Sequence, residues 1–79
     1  MSLFYFNLRG GLEAYDDEEG FDFSDLQAAY RCAQTAARSV IDEASAQGEF
    51  VDLSQRYEIY NSNRELVAVL LFRSLIVYH

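Results

Sequence analysis

The chain has no proline and no lysine, and only one cysteine and one histidine. A lone cysteine, Cys32, excludes an internal disulfide and any cysteine–histidine metal framework. The lone histidine, His79, is the last residue, where chain ends fray, so no positioned histidine base is expected. Without lysine, the positive charge rests on six arginines against thirteen acids, a net charge of −7. Such a chain repels a phosphate backbone, and no nucleic-acid partner is expected. The same repulsion argues against anionic membrane surfaces. Long apolar runs are also missing. Leu66 to Phe72 is too short to cross a bilayer, and Arg73 ends it. Met1 to Phe6 is apolar but short and carries no basic flank, so no signal peptide is expected and a cytoplasmic location follows.

What the chain does have is apolar side chains, 51% of 79 residues, with six tyrosines and six phenylalanines among them. One domain of this size has a thin core, and its stability must come from apolar packing or from association.

The organising stretch is Asp25 to Gln47. Leu26, Ala29, Tyr30, Ala33, Ala37, Val40, Ile41 and Ala44 recur in steps of three and four, which puts one apolar stripe on a helix. Ser24 is the expected N-cap, with Gln27 completing a capping box. Gly48 supplies the left-handed stop. A helix over about 25–47 would run to roughly 34 Å at about 1.5 Å per residue, against about 17–20 Å for an ordinary strand. It is therefore expected to overhang a sheet built from this chain alone.

The flanks read as strands. Leu3 to Leu8 is the first, with Phe4, Phe6 and Leu8 on one side and Leu3, Tyr5 and Asn7 on the other. Arg9-Gly10-Gly11 is a turn, and a second strand is expected over about 12–15. Asp16 to Glu19 forms an acidic loop, and Phe21 and Phe23 lead into the helix. A third strand is expected over about 56–61 and a fourth over about 66–72. With Ser62-Asn63 as a two-residue turn, Ile59 faces Leu66 and Tyr57 faces Ala68. Tyr57, Ile59, Leu66, Ala68, Leu70 and Phe72 then share one side.

The sum is an α+β domain, ββαββ, in which one long helix packs on one face of a four-stranded antiparallel sheet. One helix covers only one sheet face. The other would keep Tyr5, Tyr60, Val67, Val69 and Leu71 uncovered, with Leu75 and Val77 in an apolar tail beyond. Apolar patches of that kind mark contact surfaces. These seven residues are the candidate interface, and a second copy of the chain is the expected partner.

The order of landmarks resembles a family of short, mostly bacterial domains of unknown function. Its marks here are Tyr5-Phe6-Asn7-Leu8-Arg9 with Gly10, then Glu19-Gly20, then Asp25-Leu26-Gln27-Ala28-Ala29, then a closing hairpin over 56–71. The resemblance implies a small ββαββ domain. It implies no activity and no catalytic residues. The Asn61-Ser62-Asn63 turn and the apolar tail depart from the family's pattern.

The acids of Asp16 to Glu19 could hold a hard cation, but the alternation of a calcium loop is missing and Gln27 stands where its bidentate glutamate belongs. Cys32 lies two turns inside the helix, where the adjacent Arg31 points elsewhere, and is expected to be packed rather than reactive. Arg38 and Asp42 are spaced to pair on the helix, and Arg56 and Arg73 could meet across the last hairpin. The tyrosines on strands read as core or interface anchors. No catalytic, cofactor or metal site is expected. The function expected is a non-enzymatic, self-associating interaction module. The alternative is a small regulatory or antitoxin-like protein that binds a basic protein partner.

Overall fold

Alternating aromatics at the start of the chain build the central strand. In the computed structural model, which describes residues 2–11, 14–50 and 52–75, β1 spans Ser2–Arg9. It is followed by β2 at Phe21–Phe23, α1 at Leu26–Ala46, β3 at Arg56–Tyr60 and β4 at Leu66–Leu71, with a short 3-10 helix at Phe72–Leu75. The four strands form one antiparallel sheet in the order β2-β1-β3-β4. One helix on that sheet makes the expected ββαββ, α+β architecture. Among the described residues no helix is long and apolar enough to cross a membrane.

The core lies between α1 and one sheet face. Phe4 and Phe6 of β1, Ile59 of β3 and Leu70 of β4 meet Ala29, Ala33, Ala37 and Ile41 of the helix, with Phe72 closing one end. Alanine stands at three of the four buried helix positions, so the helix presents a low surface to the rings of β1. Phe23 stands edge-on to Phe6 at 5.8 Å, and Tyr57 tilts against Phe72 at 5.4 Å, which are ordinary attractive ring geometries. The helix stripe is narrower than its periodicity suggested. Leu26 and Val40 remain 37% and 43% exposed, because the buried line runs strictly in steps of four and leaves them on its shoulders.

The N-cap is Asp25, not Ser24: its carboxylate accepts the Ala28 N–H at 2.8 Å from an extended backbone. A carboxylate also carries the charge that the positive helix end prefers, which a hydroxyl lacks.

The second strand is Phe21–Phe23, where a lead-in to the helix had been expected. Of the expected 12–15 segment, Leu12 and Glu13 lie outside the described residues. Tyr15 makes one bridge to Leu8, with N–H to oxygen distances of 2.8 and 3.0 Å.

The closing hairpin has a three-residue loop, not two. The Arg64 N–H donates to the Asn61 carbonyl at 2.9 Å, and Arg64 itself is left-handed at φ 63°. The Asn61 side chain accepts from the Asn63 and Glu65 N–H groups, which fixes this turn-and-bulge geometry. As a result Ile59 pairs with Ala68 and Tyr57 with Leu70, not with Leu66 and Ala68. The two-residue shift preserves which side each core residue faces. A bulge between Ile59 and Tyr60 then brings Leu66 opposite Tyr60, off the core side.

Candidate functional site

The sheet face away from α1 is built from the alternate residues of each strand. Tyr5 pairs with Tyr60, Glu58 with Val69, Arg56 with Leu71, and Tyr60 with Leu66. Near β1 this face is covered by the chain itself. Tyr5 is only 9% exposed, because the Arg64 guanidinium lies over its ring and Gly20 crosses beside it. A side chain at Gly20 would come within 3.0 Å of the Tyr5 ring, so only glycine, here at φ 74°, lets the loop pass so close.

Polar groups occupy the middle of the face. Glu58 accepts from Arg56 at 3.1 Å and from the Tyr60 hydroxyl at 3.0 Å. That hydrogen bond, then desolvation and the Glu58 charge, raise the Tyr60 hydroxyl above its ordinary 10.0. Arg56 thus pairs along its own strand rather than meeting Arg73.

Toward β4 the cover ends. Leu66, Val67 and Val69 are 52%, 36% and 41% exposed. They stand on an edge strand whose six residues, Leu-Val-Ala-Val-Leu-Leu, include nothing polar.

Of the residues picked out from sequence, the structure thus brings Val67 and Val69 together on an open surface, with half-buried Tyr60 and Leu71 alongside. Tyr5 is enclosed. Leu75 packs against the chain's own core, and Val77 lies outside the described residues. Leu66 belongs to the exposed set and was missed, because the bulge that turns it outward leaves no mark in the hydrophobic pattern.

The acidic loop does structural work on the opposite margin. β2 pairs only with Ser2, Leu3 and Phe4 of β1, so the rest of that β1 edge needs another partner. Asp17 supplies it, accepting the Phe6 N–H at 3.2 Å and the Gly20 N–H at 2.9 Å, while its own N–H donates to the Asn7 side chain at 2.9 Å. Asp17 is 7% exposed. Asp16 pairs instead with Arg9, and that hydrogen bond raises the guanidinium further above its ordinary value. Glu18 and Glu19 are exposed. Among the described residues, no group of three or more His, Cys, Asp or Glu side chains is arranged to hold a metal ion, and Arg38 and Asp42 form no ion pair.

Between this loop and the helix lies a half-open cavity of about 290 Å³. Phe6, Tyr15, Asp17, Phe21 and Tyr57 line it from the sheet side, and Cys32, Ala33 and Ala36 from the helix. Cys32 is exposed rather than packed. It lines this cavity from the helix side. Burial, and secondarily the neighbouring Cys32 sulfur as a thiolate, push the Tyr57 hydroxyl up.

A family model described as a domain of unknown function (DUF6894) matches residues 3–73. No curated protein and no solved structure matches the chain.

Proposed function

The chain belongs to that domain family, whose description carries no activity, and we propose for it a non-enzymatic role as a cytoplasmic interaction module that pairs with a second copy of itself. The observation that carries this reading is β4: an edge strand, wholly apolar, with three large side chains exposed. An open edge offers unpaired backbone N–H and C=O groups, and a two-fold partner presents the matching row. Antiparallel pairing of two β4 strands would set Val67 and Val69 against their counterparts and join two sheets into one. Both copies carry a charge of −7, so contact is favoured where no charge lies, and Leu66–Leu71 is such a stretch.

Size-exclusion chromatography with light scattering tests it. A dimer is expected, converting to monomer in Val69→Lys with the fold retained by circular dichroism. A wild-type monomer at high micromolar concentration removes the reading.

A second reading, a regulatory or antitoxin-like protein that binds a basic partner, is favoured only by the net charge. Such a partner should be captured at low salt and released at high salt. Capture that salt does not weaken counts against it.

A further inference from the structure

The half-open cavity on the helix side has a composition that an apolar groove does not require. Four aromatic rings, Phe6, Tyr15, Phe21 and Tyr57, line one space of about 290 Å³. Two of them, Tyr15 and Phe21, stand 63% and 60% exposed. Beside them, Asp17 is an acid that is only 7% exposed. Its oxygens meet two backbone N–H groups, but no cation. Arg9 is committed to Asp16, and the ion pairs among the described residues are Arg9–Asp16 and Arg56–Glu58. Buried charges are ordinarily offset by an opposite charge.

We propose that this cavity binds a methylated ammonium group, held against the faces of Tyr15, Phe21, Phe6 and Tyr57 and balanced by the Asp17 carboxylate. Aromatic faces carry negative quadrupole charge and attract a poorly hydrated cation, the basis of aromatic cages for quaternary ammonium. The cavity, near the lower end of the range of about 300–1,000 Å³ usual for small-molecule sites, has room for such a group. Ala33 and Ala36 contribute to this by leaving the helix wall low. A net charge of −7 adds a field that draws cations to the surface. The site lies on the helix side of the sheet, and nothing in it depends on the pairing of β4.

The test is calorimetric titration of the full chain with choline chloride and, in parallel, with 3,3-dimethyl-1-butanol, its uncharged isostere. Choline is expected to bind at least about tenfold more tightly. Asp17→Asn would present an amide N–H to a backbone N–H and endanger the fold, so the rim carries the mutational arm. Tyr15→Leu and Phe21→Leu keep apolar area but remove a π face, and each should weaken choline several-fold with an unchanged thermal midpoint. A short peptide bearing trimethyllysine separates the sources: tighter binding than choline identifies a protein-borne group, weaker binding a free small molecule. Equal affinity for choline and its neutral isostere, no heat at millimolar choline, or rim variants that bind as wild type would each overturn the proposal.

Discussion

The guanidinium of Arg64 lies 3.8 Å from the centroid of the Tyr5 ring, linking the tip of the last hairpin to the central strand. The Arg64 backbone is left-handed, at φ 63°. The contact seals the β1 half of the outer sheet face.

Two substitutions separate the stack from the strain. Arg64→Ala loses a cation–π contact of about 0.5–2 kcal/mol and keeps the left-handed backbone. Arg64→Gly loses the same contact but regains about 1–2 kcal/mol of strain. Urea denaturation should therefore rank wild type and Arg64→Gly close together and Arg64→Ala below both. If the alanine variant equals the glycine variant, the backbone carries no strain there.

Gly10 and Gly48 are both left-handed, at φ 89° and 70°, but only one is crowded. A side chain at Gly10 would run into the Ser54 carbonyl oxygen, which belongs to backbone and cannot swing away. Around Gly48 a side chain would meet nothing within 4 Å. Gly48→Ala should cost about 1 kcal/mol. Gly10→Ala should cost about 2–4 kcal/mol, since strain and a backbone clash add. Thermal midpoints of the two variants decide this, and equal losses would count against the close approach.

Ala37 is fully buried in the helix–sheet contact, whereas Val40 is 43% exposed one turn on. Ala37→Leu should therefore destabilise by about 1–3 kcal/mol despite adding apolar area, because the layer has no room for it. Val40→Ala should stay within about 0.5 kcal/mol of wild type. Guanidinium unfolding measures both. A stabilising Ala37→Leu would mean that the layers do not meet at alanine contact distance.

Burial holds the Tyr57 hydroxyl above its ordinary 10.0, with Cys32 adding to it. The raised value belongs to the folded state. Its contribution to stability is complete below pH 10 and is lost as pH rises through the folded value. Tyr57→Phe should therefore flatten the alkaline limb of the stability curve and leave stability near neutrality little changed. Phenolate absorbance followed through an alkaline titration checks the origin: Cys32→Ser should lower the Tyr57 midpoint.

Much of this architecture was legible from periodicity alone. A period-two run gave β1 with its correct faces, a stripe in steps of three and four gave α1, and Tyr57, Ile59, Ala68 and Leu70 were placed on the core side. What escaped notice depends on groups that recognise partners far away in the chain or on a single backbone angle. Phe21–Phe23 is too short to show a period, so its pairing is decided by the neighbouring β1 and not by its own pattern. Asp17 looks like any solvated acid until the Phe6 N–H that the short β2 leaves to it is seen. Arg64 has no intrinsic preference for the left-handed turn, and the Asn61 side chain imposes it. The bulge between Ile59 and Tyr60 put Leu66 on the open face, and Arg64 with Gly20 withdrew Tyr5 from it, which is why the exposed surface was only partly foreseen.

The two rims of the sheet are unlike, and the difference limits how copies can add. On one side β2 is three residues long and carries Asp22, and Asp17 fills the remainder of that margin. A newcomer finds no template there. Growth through β4 would thus exhaust itself after a single addition, giving a finite pair instead of the endless ribbon that two adhesive borders would propagate.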